Sequence, residues 1–307
     1  MSDGPTARRA QAWLGTYVVM EATAAEQRVA DAAVAAAFDA VADIHRLMSF
    51  HAQDSDLANL HADAWRQPVT VSPHTWQVIL HAQTVAAASD GVFDPTVAPA
   101  LVASGALPAP TGPRPDPTAT WADVELLDDQ QIAFRRPLWL DLGGIAKGYA
   151  VDRAVHILCE YGADSGLVNA GGDLRVFGRH RTRVPVAVRH PAQPSQTLPL
   201  GSLAQGAVAG SGDYFAAMPA EQASPIVAPG RGLRPAGRTA VVVVADECWC
   251  ADALTKVVSL MESASSPVLR MFNATAALLD AHGTLRAMPG FMERLGHATP
   301  EEQSSHA

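Results

Sequence analysis

The 307-residue sequence predicts an α+β fold, with strands gathered in antiparallel or mixed sheets and helices packed on them. Three observations carry this. The second half holds strand-like runs at Gly166–Asn169, Leu174–Phe177, Val184–Val188, Ala207–Ala209 and Arg238–Val244, with too few helical stretches between them for repeated βαβ units. In Thr23–Met48 the apolar residues Val29, Ala33, Ala36, Ala37, Val41, Ile44 and Met48 fall near one helical face. Hydrophobic residues make up 48% and charged residues 17%, which excludes a disordered or coiled-coil chain.

In chain order, Trp13–Met20 reads as a strand ahead of that long helix. Ser49–Leu60 reads as a polar turn into a short helix, with Asp54, Ser55 and Asp56 as caps for free helix amides. Pro73–Ser89 reads as a second helix after Ser72, and Gly91 and Asp94-Pro95 end its pattern. Ser104–Thr120, with Pro108, Pro110, Pro113, Pro115 and Pro117, reads as a loop. Val124–Leu127, Ile132–Phe134 and Leu138–Leu140 read as strands, with Asp128-Asp129 turning between the first two. The last third adds a helix at Glu247–Met261, strands near Thr275–Leu279 and Thr284–Met288, and a polar end at His297–Ala307.

A net charge of -9, from 22 basic and 31 acidic residues, argues against a nucleic-acid or anionic-membrane partner, so any anionic ligand must be met locally. The run Val241–Val244 suits a buried strand, and no stretch reaches the roughly 20 apolar residues of a membrane span. The start lacks the apolar core of an export signal, so the expected location is cytoplasmic. Cys159, Cys248 and Cys250 read as reduced thiols, and the pair Cys248 and Cys250 reads as core packing, because the Cys-x-Cys spacing finds no second ligand pair for zinc. His45, His51, His61, His74 and His81 are expected at the surface.

The stretch Asp141–Ala154, DLGGIAKGYAVDRA, joins a strand-type run to a helix through a glycine turn. Gly143 and Gly144 permit a sharp turn and close approach to a ligand, and the amides opening the next helix suit phosphate. Lys147 adds a full positive charge. A plain βα connection with a solvated lysine fits the same residues. Asp94 reads as the cap of a following short helix that Pro95 begins.

This stretch, followed by Leu167-Val168-Asn169-Ala170-Gly171-Gly172-Asp173, resembles the signature of the ApbE-type flavin transferases. Leu14-Gly15-Thr16, Asp54-Ser55-Asp56-Leu57, Phe93-Asp94-Pro95-Thr96-Val97, Ser211-Gly212-Asp213-Tyr214 and Ala251-Asp252-Ala253-Leu254 match in order. The resemblance implies an ApbE-like, T-fold-related domain over residues 13–288, flanked by a flexible start at 1–12 and a tail at 289–307. It implies transfer of FMN from FAD to a threonine or serine hydroxyl of a target flavoprotein, with release of AMP. Leu14, Phe50, Val92, Phe93, Asp94, Asp141, Gly143, Gly144 and Lys147 are carried over as FAD contacts. Magnesium is carried over to the Gly144 carbonyl, the Asp252 carboxylate and a further ligand on the same helix turn, with Thr255 as the candidate. Asp173 is placed to orient the incoming hydroxyl or to cap a turn.

The sequence departs from the family twice. A threonine normally lies four residues after the helix aspartate, and here Lys256 does, with Thr255 about 100° away around the helix. Lys256 turned inward would replace the cation; turned outward it would leave Asp252 and Thr255 to bind magnesium. The family's His-x-x-Asp-Pro-x-x-Gly segment corresponds to Ser224–Gly232, which lacks both the histidine and the aspartate and offers Arg231 or Arg234 for phosphate or for solvent. Asp252, Lys256 and Asp173 are therefore the candidate catalytic groups of a transferase. A non-catalytic FAD-binding protein, or an FAD pyrophosphate hydrolase with an altered metal site, is the alternative reading.

Overall fold

The computed structural model describes residues 4–178, 183–212, 223–230, 232–235 and 239–296. In chain order the elements are β1 (Thr6–Trp13), β2 (Thr16–Ala24), α1 (Gln27–Leu47), α2 (Asp56–Asp63), β3 (Val69–Thr70), α3 (Pro73–Ala88), α4 (Ala98–Ala103), β4 (Val124–Leu126) and β5 (Gln131–Phe134). There follow α5 (Ala146–Glu160), β6 (Ala163–Ala170), β7 (Asp173–Gly178), β8 (Val184–His190), β9 (Gln193–Leu203), β10 (Gly206–Gly212), β11 (Ala223–Ala228) and β12 (Gly232–Pro235). The last are β13 (Ala240–Ala245), α6 (Cys248–Met261), α7 (Pro267–Met271), β14 (Thr275–Leu279), β15 (Leu285–Ala287) and α8 (Phe291–Arg294). The fold is α+β, with antiparallel pairing throughout these strands.

The chain divides into two compact units, the first formed by Met1–Ala42, Lys147–Tyr214 and Arg238–Ala307, the second by Asp43–Ala146 and Phe215–Gly237. Among the described residues, the first unit holds an eight-stranded sheet in the order β1-β2-β6-β7-β10-β13-β14-β15. All six residues of β13 are buried, as expected of a strand covered on both faces. Ala240, Val242 and Val244 join Val186 and Val188 of β8, Leu200 and Leu203 of β9, and Phe291 and Leu295 in one apolar cluster. By strand alternation Val241 and Val243 face the other way, where α6 packs on β7, β10 and β13.

The second unit is built on α2, α3, α4 and the small sheet β3-β5-β4, over a core that includes Leu57, Leu60, Val78, Ile79, Ile132, Leu140 and Ile145. Ser55 caps α2 by accepting from the Ala58 amide at 3.1 Å, and Asp56 accepts from the Ser72 amide at 2.9 Å and the Thr75 hydroxyl at 2.6 Å at the start of α3. Ser55 acts as the cap expected of it, whereas the Asp56 side chain ties α2 to the start of α3 and caps no free helix amide.

Four further expectations change. Residues 6–12 are not a flexible start but most of β1, paired along its length with β2. Its residues other than Ala7 are exposed or half-buried, so ladder bonds and not an apolar stripe make the strand. The tail expected from residue 289 begins later, because Phe291 and Leu295 are fully buried around a helix too short to show a periodicity. The strand expected at Leu138–Leu140 is a buried extended segment outside any ladder. His61, expected at the surface, is 3% exposed and supplies the missing backbone partner: the Leu140 amide donates to its Nε2 at 3.0 Å.

Candidate functional site

Within the first unit, three turns bring charged groups together. The β1–β2 hairpin closes on Leu14 and Gly15, both with positive φ, 55° and 72°. The β6–β7 hairpin closes on Gly171 and Gly172, and a Cβ on Gly171 would lie 2.5 Å from the Thr16 hydroxyl, so only glycine lets the two turns touch. Asp173 follows directly and is 1% exposed. Its carboxylate pairs with the ammonium of Lys147, in the first turn of α5.

Lys147 Nζ also lies 4.0 Å from Asp252 Oδ2 on α6. Lys256, one turn further along α6, points inward: its ammonium contacts Asp252 Oδ1 and donates to the Asp252 carbonyl at 3.2 Å. The Gly148 amide donates to Asp252 Oδ2 at 3.0 Å. The result is an alternating line, Asp173, Lys147, Asp252, Lys256, of two carboxylates and two ammonium groups. Burial pushes the Asp252 carboxyl up, but Lys147, Lys256 and the Gly148 amide outweigh it and hold it below the ordinary carboxylate range. Burial lowers the Lys147 ammonium, with Asp252 pulling against it. Lys147 and Lys256 are the only lysines in the sequence.

This donor set does not fit a divalent cation. Asp252 already has one carboxylate oxygen on an ammonium and the other on an amide, and two cationic side chains face it. The Thr255 hydroxyl donates to the Asp252 carbonyl at 2.7 Å, a bond along its own helix.

In the second unit, Asp94 caps the short 3-10 turn Pro95–Val97, accepting at Oδ1 from the Thr96 amide at 2.8 Å and hydroxyl at 2.7 Å. Burial raises its pKa, with the Thr96 bonds acting against this. The Asp141 amide donates to the Pro95 carbonyl at 2.7 Å, so the Phe93–Thr96 and Asp141–Gly144 segments are tied together. Asp141 Oδ1 accepts from the Gly143 amide at 3.0 Å and so takes up one amide of the glycine turn. Phe93 is buried and Val92 half-buried. Phe50 packs against His61 in a tilted arrangement, ring centroids 5.3 Å apart, and His61 in turn holds Leu140 beside Asp141. Asp213, Tyr214 and Arg231, and the side chains of Ser224 and Arg234, lie outside the described residues.

Three contributors were not legible as such in the sequence. His61 sits at helical spacing among polar residues and shows no motif. Gly148 looks like one more glycine of the turn, whereas it makes the close approach of α5 to α6. Asp152, inside the quoted signature, accepts from the Cys248 and Trp249 amides at 2.9 Å and 2.8 Å and from Arg175 at 2.6 Å. Cys248 and Cys250 are buried, and burial pushes the Cys250 thiol up to about 12, so both pack as neutral thiols.

His61 gives a test of the second unit. Burial lowers its pKa from 6.5 to about 4, against the backbone bond to Leu140, which raises it. The folded protein therefore keeps it neutral, and the stability this represents is present above pH 6.5 and lost as pH falls toward 4. The shift corresponds to about 3 kcal/mol. Urea unfolding at pH 7 and pH 4.5 is expected to show the parent losing about 2.5 kcal/mol more than His61→Gln on acidification. Equal losses would refute a neutral buried imidazole. The comparison with the variant is needed because Asp152, raised to about 6, favours the folded state as pH falls over nearly the same range.

Residues 14–279 match the family model described as the ApbE family. A protein of Vibrio cholerae serotype O1, Classical Ogawa 395, named FAD:protein FMN transferase, is 27% identical over 239 residues, covering 71% of this chain and 70% of its own length. A protein of Treponema pallidum with the same name is 30% identical over 147 residues, covering 43% and 40%. Among solved structures, the ApbE protein of Thermotoga maritima superposes with a TM-score of 0.77 at 25% identity, covering 95% of this chain and 99% of that one. The flavin transferase ApbE of Vibrio cholerae gives 0.77 at 21% identity, covering 94% and 99%, a likeness of fold. With its signature turns, its sheet order and more than four-fifths of its length accounted for in this way, the chain belongs to the ApbE family.

Proposed function

We propose that this protein transfers the FMN moiety of FAD to a threonine or serine hydroxyl of a target flavoprotein and releases AMP. The observation that carries the reading is the line of Asp173, Lys147, Asp252 and Lys256, two lysines held beside glycine turns in a chain otherwise rich in acid. The names of its relatives support transfer over binding alone.

In this reading Lys147 and Lys256 leave their carboxylate partners to meet the pyrophosphate, neutralising charge that grows on the leaving phosphate. The acceptor oxygen bonds to the FMN phosphorus, the bond from that phosphorus to the AMP oxygen breaks, and the hydroxyl proton passes to Asp173. Leu14, Phe50, Val92, Phe93, Asp94, Asp141, Gly143 and Gly144 are the residues carried over from the family signature as proposed FAD contacts. Residues 13–288 are proposed to act as one functional domain. Among the described residues no helix is long and apolar enough to cross a membrane, and the free thiols support a cytoplasmic setting within the same proposal.

Magnesium, which the family resemblance carries over, finds both carboxylate oxygens of Asp252 already engaged. We assign its place to Lys256, since the ammonium already occupies Asp252. Incubation with FAD and a candidate flavoprotein, read by intact mass, tests the function: an FMN-sized gain on the partner is expected, and bound but unconsumed FAD would refute transfer. Titration of FAD in magnesium and in EDTA tests the lysine. Equal affinities are expected for the parent, while Lys256→Thr should bind more tightly with magnesium than without. A large loss of parent affinity in EDTA would refute the assignment.

A further inference from the structure

Asp152 is a buried carboxylate to which the reaction outlined above gives no role. It lies on α5 one turn beyond Gly148 and is 9% exposed. Its Oδ1 accepts from the Cys248 amide at 2.9 Å and from Arg175 Nη1 at 2.6 Å, and its Oδ2 from the Trp249 amide at 2.8 Å. The amides opening a helix carry partial positive charge and ordinarily suit a bound anion. Here a carboxylate of the protein itself fills that place at the start of α6, and it also engages the guanidinium that β7 brings to the same point.

The consequence is a two-level attachment of α6 to α5. At the first turn of α6, Asp152 holds the helix end. One turn on, the Gly148 amide holds Asp252, and a Cβ on Gly148 would lie 2.4 Å from the Cys248 carbonyl oxygen, so the backbones are in direct contact. Two attachments on one face fix both the height and the rotation of α6, which a single packed contact does not. Asp252 and Lys256 are carried on the turns that follow.

We propose that Asp152 is a positioning residue: its carboxylate sets α6 on α5 so that Asp252 and Lys256 meet Lys147. By occupying the helix end and Arg175, it also directs an incoming diphosphate to the lysines. The second half of this rests on the proposed function; the first does not, and the test separates them.

Because Lys147 and Lys256 are the only lysines, acylation by an amine-reactive ester, read peptide by peptide by mass spectrometry, reports on this cluster against only the N-terminal amine. In Asp152→Asn, well below its melting temperature and with an unchanged circular dichroism spectrum, Lys256 is expected to acylate severalfold faster than in the parent. Asp152→Glu should return the rate toward the parent value. Equal Lys256 rates in the parent and Asp152→Asn would overturn the positioning role. Should Asp152→Asn fail to fold, Asp152→Ser, whose shorter side chain cannot hold both the Cys248 and Trp249 amides, is expected to speed Lys256 acylation in the same direction, and an unchanged rate there would overturn it equally. In a second arm, calorimetry should show FAD bound about tenfold more weakly by Asp152→Asn, with Asp152→Glu recovering most of the loss. A parent that binds no FAD would refute the proposed function and leave the acylation result standing. Equal FAD affinity in parent and variant would overturn the steering of the diphosphate.

Discussion

Gly148→Ala is expected to destabilise the protein by about 3 kcal/mol and to weaken FAD binding by tenfold or more. Helix propensity alone argues the other way, since alanine is better than glycine inside a helix by about 1 kcal/mol. The added methyl, however, would lie 2.4 Å and 2.7 Å from the Cys248 carbonyl oxygen and carbon and 2.8 Å from the Asp252 Cβ. These are largely backbone atoms of another helix and cannot rotate aside, so α5 and α6 must part. Parting also stretches the 3.0 Å bond from the Gly148 amide to Asp252. Chemical unfolding measures the first effect and calorimetry with FAD the second. An alanine variant as stable as the parent would show that the helices do not meet backbone to backbone.

Asp252→Asn is the other change expected to act strongly, with a cost of about 3 kcal/mol. The carboxylate is 1% exposed and contacts two ammonium groups, so its removal leaves Lys256 without its counter-charge and Lys147 with Asp173 alone. The two lysines then seek an anion from solution. Inorganic pyrophosphate is accordingly expected to raise the melting temperature of Asp252→Asn by several degrees more than that of the parent, measured by scanning calorimetry. Equal shifts would mean that the lysines do not share the Asp252 carboxylate.

Much of the fold was readable because its signals are local. The valine run of β13, the one-sided spacing of α1 and the caps at Ser55 and Ser72 each depend on residues within a turn or two. The edge strand β1 was not readable, because an edge with both faces wet carries no alternation. The same holds for the site. Lys147 and Asp252 stand in recognisable motifs, and the inward turn of Lys256 was one of two outcomes open at its spacing from Asp252. The part played by Asp152 depends on amides nearly a hundred residues away, a pairing that no spacing within one motif reveals. His61 is the same case: its partner Leu140 lies in another segment, so burial and tautomer follow from tertiary contact and not from its neighbours.

The pairing of β2 with β6 sets a timetable for the newborn chain. β2 ends at Ala24 and its inner neighbour begins at Ala163, with the whole of the second unit's first segment made in between. At a ribosomal pace of about 5–20 residues per second, the β1–β2 hairpin waits on the order of 10 s with one edge unfilled. During that interval Val18, Met20 and Ala22, fully buried in the finished protein, have no sheet to lie in. The hairpin is therefore the stretch on which a holding chaperone has most reason to act, while Arg8 and Arg9 guard its other edge, the outer strand β1.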